Sequence, residues 1–231
     1  MDNAADSDPI VLRLREGFDR IAFVLRADLW AAAGEAGLNP AQAQALGLLA
    51  GRPAGLRPKE IAAHLAVSAA SVTDTLAALA RKGLVRRDRD PGDARAVVVR
   101  ATPEGVRLGV GIARSASQVT AALAALPPVA RADLLLAQIA LIRQLQLAGA
   151  IPMPRMCPTC RHFRPNAHPG AAAPHHCAFV NAPIGSRDLR LDCGEHEAAD
   201  PEVQAATWTA FVNGSPSLQA PASSREGEPP S

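Results

Sequence analysis

Residues 57–102 read RPKEIAAHLAVSAASVTDTLAALARKGLVRRDRDPGDARAVVVRAT, and the fold turns on how this stretch is read. The pattern predicts helix, turn, helix and then a β-hairpin. In the first helix Ile61, Ala62 and Leu65 fall on one face. Ser68 suits an N-cap, because its hydroxyl can accept one of the amide hydrogens left unpaired at a helix start. In the second helix Val72, Leu76 and Leu79 recur at i, i+4 and i+7, one buried stripe. Gly83 closes that helix, since glycine takes a left-handed conformation without steric cost. Leu84-Val85 and Ala96 to Val99 predict two strands joined by the turn Asp90-Pro91-Gly92-Asp93.

A unit of this kind offers the exposed side of its second helix to a duplex major groove, and its hairpin to the flanking backbone or minor groove. Charge agrees. Nine basic residues against five acidic ones give residues 57–102 a net charge of +4, while the whole chain carries +2. A local excess of Arg is the electrostatic footprint of phosphate binding. The candidate DNA contacts are Ser68, Ser71 and Thr73 at the start of the second helix, Arg81 at its end, and Arg87, Arg89 and Arg95 on the hairpin. The plainer reading of the same pattern is a solvated, charged hairpin on an ordinary helical domain. Aromatic content is only 3% and Tyr is absent, which argues against single-strand binding by base stacking.

Ser71-Val72-Thr73, Leu79-x-x-Lys82-Gly83-Leu84-Val85, Arg87-x-x-Asp90-Pro91-x-Asp93-x-Arg95 and Thr102-x-x-Gly105 together resemble the winged helix-turn-helix of MarR-type bacterial transcriptional regulators. The resemblance extends over roughly residues 10–148. It implies a homodimer on a pseudo-palindromic duplex operator, with Arg95 at the wing tip entering the minor groove. It also implies a small-molecule effector, often an aromatic acid, bound between the dimer region and the winged region. Asp74 departs from the pattern, standing where the family commonly has a basic residue; a carboxylate there repels phosphate.

Outward from this stretch the chain reads mainly as helix. After Pro9, Ile10, Leu14, Phe18, Ile21, Leu25 and Leu29 recur at three or four residues and predict a helix to about Ala33. Pro40 starts a short Ala-rich helix. Thr102-Pro103 caps a further helix expected to run to about Ala125, ended by Pro127-Pro128, and another covers about Val129 to Leu147. That last helix is apolar nearly all round, so it must be covered on more than one side. A second subunit is the expected cover, with the first and the last two helices forming a two-fold interface; a C-terminal module of the same chain is the alternative.

Past the linker at 149–154 the composition changes. Residues 155–197 hold all four cysteines, as C-x2-C-x16-C-x15-C, and five of the six histidines. Soft thiolates on a tight Cys157-Pro158-Thr159-Cys160 turn aim at one point, and Cys177 and Cys193 can complete a tetrahedral set. The set predicts either an iron–sulfur cluster or Zn2+, with free or switch thiols as a third reading. Any of His162, His168, His175, His176 and His196 could replace a cysteine. The spacing is similar to that of high-potential iron–sulfur proteins, in spacing alone.

The organisation expected is thus a winged helix-turn-helix and helical dimerisation domain over 10–148, a small loop-rich Cys module over 155–197, and a disordered tail over 214–231, with a short amphipathic helix near 201–213. The acidic N-terminus lacks the pattern of a secretory signal, and no apolar run approaches membrane-spanning length, so a cytoplasmic setting without a membrane partner is expected. Structural disulfides are unexpected there. No nucleotide loop, nucleophile elbow or H-E-x-x-H is present, which favours a regulator over an enzyme. An iron–sulfur electron carrier or enzyme using the winged unit as a scaffold is the alternative.

Overall fold

The computed structural model describes residues 8–90, 92–115, 117–152, 155–215 and 218. The chain divides into two compact units, residues 1–126 and 127–231.

The first unit is a winged helix-turn-helix with flanking helices. It contains α1 (Pro9–Glu35), α2 (Pro40–Ala50), α3 (Pro58–Leu65), α4 (Ala69–Arg81), β1 (Val85–Asp90), β2 (Asp93–Ala101), α5 (Pro103–Ala113) and α6 (Gln118–Ala125). Polar caps fix the helix starts. Asp8 accepts from Ile10 N, Asn39 and Gln42 form a reciprocal capping box, Ser68 accepts from Ser71 N, and Thr102 accepts from Gly105 N. Gly83, at φ +70°, ends α4 in the left-handed conformation expected of it. Between α3 and α4 the turn contains Ala66 at φ 51°, ψ 42°.

The core of this unit joins Leu46 and Leu49 of α2, Ile61 of α3, Val72, Leu76 and Leu79 of α4, and Val85 and Val99 of the hairpin. Each buried aliphatic side chain contributes about 1.5–3 kcal/mol. The hairpin is antiparallel, pairing Val85 with Ala101 and Arg89 with Val97, with an irregularity at Arg89/Asp90. Leu56 forms a further bridge to Val99, so the wing is rooted beside the start of α3.

The helix expected from Pro103 to about Ala125 is broken. α5 stops at Ala113 and α6 starts at Gln118. Serine explains the break: Ser115 Oγ donates back to the Ile112 carbonyl, and Ser117 caps α6 by accepting from Thr120 N. Such short hydroxyl side chains compete with the helical ladder for backbone groups. Ser117 Oγ also donates to Asp28 Oδ2 at 2.7 Å, tying the new helix start to α1.

The second unit holds α7 (Pro128–Leu147), a single-turn 3₁₀ helix over Cys157–Thr159, the strands β3 (Phe163–Arg164), β4 (His175–Cys177) and β5 (Ala182–Ile184), and α8 (Pro201–Asn213). The strands form one antiparallel sheet in the order β3-β4-β5. Leu136 and Ile139 of α7 pack with Met156, Phe163, Leu189 and Phe211, and Trp208 borders the cluster. Arg143 lies over the Trp208 ring at 4.8 Å, a cation–π contact that helps offset its burial.

This packing settles what covers one side of the all-apolar helix: it is the cysteine-bearing segment of the same chain. α7 therefore groups with that segment rather than with residues 10–126, and the compact units part at 126/127 rather than near 148. Val129, Leu141, Leu145 and Leu147 of α7 stay exposed. The amphipathic helix expected near 201–213 is α8, with Phe211 fully buried. Apart from Gly214, Ser215 and Leu218, the expected disordered tail over 214–231 lies outside the described residues. No single helix among the described residues is long and apolar enough to cross a membrane.

Candidate nucleic-acid interface and cysteine site

Val72, Leu76 and Leu79 turn inward, so α4 presents Ser71, Thr73, Asp74 and Arg81 outward, all exposed. The three expected polar contacts at the start of α4 also have local work. Ser68 Oγ accepts from Ser71 N at 3.2 Å and lies 2.9 Å from Ser71 Oγ, while Thr73 Oγ1 donates to the Ala69 carbonyl at 2.9 Å. Asp74 is exposed on this face, so the departure seen in the sequence is presented to solvent.

The wing sorts its arginines by pairing. Asp88 takes Arg100 at 2.8 Å and Arg86 at 3.3 Å, and Asp90 takes Arg57 at 2.7 Å. The Gly92 backbone N–H, and then Arg57, hold the Asp90 carboxyl below the usual carboxylate range. Arg81, Arg87, Arg89 and Arg95 have no acidic partner among the described residues, and all four are exposed. Pleating places Arg87 and Arg89 on one face of β1, and with Thr73, Pro58 and Val97 they line a groove of about 320 Å³ between the helices and the wing. Arg95 stands near the tip, its backbone N–H donating to Asp93 Oδ1 at 3.1 Å. Of the expected contacts, the structure thus gathers Thr73, Arg87 and Arg89 at one groove.

The tie from Arg57 to Asp90 was not read from the sequence. It joins the residue before α3 to the hairpin tip, thirty-three residues later. A Pro-Gly turn flanked by acids beside a basic helix start is its only sequence trace. Also unread was a pocket of about 510 Å³ bordered by α1, α2, α3, α5 and α6, with Leu25, Leu29, Leu48 and Ile112 on its apolar wall and Asp28 and His64 as polar groups.

In the second unit all four cysteines are half-buried free thiols. Cys160, Cys177 and Cys193 line one pocket of about 130 Å³, together with His162, Asp188 and Glu195, walled by Phe179, Val180 and Ile184 and bordered by Arg190. Arg190 connects the fourth: its backbone N–H donates to Cys157 Sγ at 3.3 Å, and its guanidinium lies 3.9 Å from Cys193 Sγ. Burial pushes the Cys157 thiol up; the Arg190 N–H opposes this, and the nearby Cys193, Cys160 and Cys177 add to it. The sequence therefore named four groups that come near one another. Among the described residues, however, no three His, Cys, Asp or Glu side chains are gathered closely enough to hold one metal ion as they stand.

The histidines have other hydrogen-bond or ring partners, although His162 also lines the cysteine pocket. His162 bonds Glu197 at 3.0 Å, His196 bonds Thr159 Oγ1 at 3.0 Å, and His168 faces His176 at 3.3 Å. His175 accepts from Asn166 N at 3.2 Å and packs between Phe163 and Phe211; burial lowers its basicity.

The first unit is of the winged helix-turn-helix class. Residues 36–96 match the model of the MarR family. Among solved structures, the S. aureus MepR–DNA complex is similar at 24% identity over 46% of this chain and 90% of that one, with a TM-score of 0.37. CouR from Rhodococcus jostii RHA1 bound to p-coumaroyl-CoA is similar at 24% identity over 66% and 98%, with a TM-score of 0.45. Sco5413 from Streptomyces coelicolor, a MarR family transcriptional regulator, is similar at 24% identity over 62% and 97%, with a TM-score of 0.47. No curated protein matches the chain.

Proposed function

We propose that this protein is a dimeric, cytoplasmic transcriptional regulator of the MarR type, not an enzyme, which binds a duplex operator through α4 and the wing. One observation carries the reading. The wing neutralises Arg57, Arg86 and Arg100 internally but leaves Arg87 and Arg89 free beside Thr73 at one groove, with Arg95 beyond them. Unpaired guanidiniums at a helix–hairpin groove suit phosphates and base edges, to which Arg can bond bidentately. The pocket between α1, α2, α3, α5 and α6 is the place for a small apolar effector with a polar end, and the four-cysteine site is the place for a metal centre through which DNA binding answers to redox state.

Arg95→Ala is expected to weaken binding to a duplex operator by about 1–3 kcal/mol and to flatten the salt dependence by about one unit of slope. Titration of operator DNA at several salt concentrations measures both. Wild-type affinity and slope in a folded variant would remove the wing from the interface.

Assembly follows from α1. Ile10, Leu14, Ile21, Phe23 and Trp30 are all exposed there, with Phe23 at 67% and Trp30 at 65%. These residues lie on two opposite faces of α1, Ile10, Leu14 and Ile21 on one and Phe23 and Trp30 on the other; a monomer rarely leaves so much apolar surface in water, and a two-fold interface is the commonest way to cover it. Light scattering of the DNA-free protein should give twice the chain mass at micromolar concentration. A monomer under those conditions counts against the dimeric reading.

A further inference from the structure

We propose that Asp74 is a base-reading residue of α4, which accepts a hydrogen bond from the N4 amino group of a cytosine in the major groove and so fixes one position of the operator. Asp74 has this role only if α4 enters a duplex, so the proposal rests on the regulator reading and deepens it.

The acids of the winged stretch point to it first. Residues 57–102 hold five: Glu60, Asp74, Asp88, Asp90 and Asp93. Four are engaged locally. Glu60 accepts from Arg57 N at 2.6 Å, Asp88 pairs with Arg100 and Arg86, Asp90 pairs with Arg57, and Asp93 accepts from Arg95 N at 3.1 Å. Asp74 is exposed and has no hydrogen-bond or ion-pair partner among the described residues. A free carboxylate on a phosphate-binding face weakens binding to every duplex alike. The groups that can offset this are hydrogen-bond donors on base edges.

The neighbours of Asp74 on the helix agree. Asp74 is the sixth residue of α4, and the inward turn of Val72, Leu76 and Leu79 leaves it outward with Ala70, Ser71 and Thr73. In a helix-turn-helix the first turns of the second helix are those that meet base edges. Ser71 Oγ is taken up with Ser68 Oγ at 2.9 Å, and Thr73 Oγ1 donates to the Ala69 carbonyl at 2.9 Å. Asp74 keeps its whole accepting capacity. The residues three and four positions away on either side are Ala70, Ser71, Ala77 and Ala78. All are short, so no longer side chain there holds the helix off the groove floor.

The chemistry of a carboxylate then selects the base. When ionised it can only accept. Guanine presents two acceptors in the major groove, N7 and O6, and thymine presents the acceptor O4 beside a methyl group. Adenine sets the acceptor N7 next to its N6 donor. Cytosine offers its N4 donor with no acceptor on its own edge, and is the base a carboxylate reads. The arginines of the wing are left to the phosphates, which position the protein without specifying sequence.

The test is selection by the full chain from duplexes with a randomised core of about 20 base pairs, two helical turns. Asp74 is exposed, so its variants should keep the wild-type fold. The wild-type chain is expected to return a motif with cytosine at one defined place. Asp74→Ala should lose the preference at that place, by about tenfold in relative affinity. It should keep the rest of the motif and bind unmatched duplexes several-fold more tightly. Asp74→Asn should shift that place to adenine, whose N6 and N7 an amide bonds together. The wild-type motif returned unchanged by both variants overturns the proposal, even with tighter binding throughout, because Asp74 then only repels phosphate. A place that depends on Asp74 but holds a base other than cytosine overturns the choice of base. No motif from the wild-type chain, with equal binding to every duplex, overturns the regulator reading and this proposal with it.

Discussion

Gly105→Ala should destabilise the winged unit by about 3 kcal/mol or more, at the upper end of overpacking effects, and abolish duplex binding with it. A Cβ at Gly105 would sit 2.0 Å from the Leu84 carbonyl oxygen and 3.2 Å from Leu46 Cδ1. The oxygen cannot step aside cheaply. Leu84 O accepts Thr102 N at 3.0 Å and Thr102 Oγ1 at 3.3 Å, and it lies at the root of β1. Relief would pull the wing from α5 or push α5 off Leu46 and α2. Gly111 supplies the control on the same helix, because a Cβ there meets nothing within 4 Å. Gly111→Ala should be neutral to stabilising by about 0.5–1 kcal/mol, through helix propensity alone. Hydrogen exchange resolved by peptide, read over residues 36–113, reports on this unit separately from the other. Equal protection in the two variants would show that α5 does not seat against the wing root as described.

The second large effect belongs to the other unit. Phe211→Ala should destabilise it by about 3–5 kcal/mol, the range for truncating a fully buried aromatic. Phe211 is fully buried and meets Phe163 at 5.9 Å, His175 at 5.5 Å and Trp208 at 5.7 Å between ring centroids. The side chain thus joins α8 to β3 and β4, the strands that place Cys177. Val203, on the same helix but 48% exposed, is the comparison, and its change to Ala should stay within about 0.5 kcal/mol. Peptides spanning 155–213 should exchange faster in Phe211→Ala, with residues 36–101 unchanged. Wild-type protection across 155–213 would mean that the cluster around Phe211 is not the core of this unit.

The two units differ in how much of them could be read in the sequence, and the difference has a physical origin. The winged unit is specified by local signals: the hydroxyl of Ser68, the left-handed Gly83, the acid-flanked Pro-Gly turn and a 3.6-residue apolar stripe each act within a few residues of themselves. The break at Ser115–Ser117 escaped because Val119 to Leu126 continues the apolar composition, and only the bond Ser117 accepts from Thr120 N shows the serine as a cap, with its bond to Asp28 fixing it to α1. In the second unit the strands are two or three residues long, too short for period-two alternation to register. Their pairing of Phe163 with Cys177, and the seat of Leu136 and Ile139 on Phe211, join residues far apart in the chain. Cysteine spacing marked four groups that lie near one another, but not the part of Arg190, whose contacts exist only once residues 157, 190 and 193 are brought together. On the proposed DNA face the sequence marked the basic hairpin. It could not tell which arginines are spent on Asp88 and Asp90, because that depends on strand register.

The turn between α3 and α4 holds Ala66 at a positive φ, and the two helices meet there at a bend of 110°. A left-handed conformation costs a side-chain-bearing residue about 1–2 kcal/mol. Glycine would adopt it freely, but would also visit many other angles. With alanine, the angle is kept because the packing of Ile61 against Val72 and Leu76 outweighs a local preference for something else. On the proposed function, α4 is therefore aimed before any duplex arrives. The entropy of arranging it is settled during folding, so that a duplex bound as proposed would need only a choice of register, not the building of a shape.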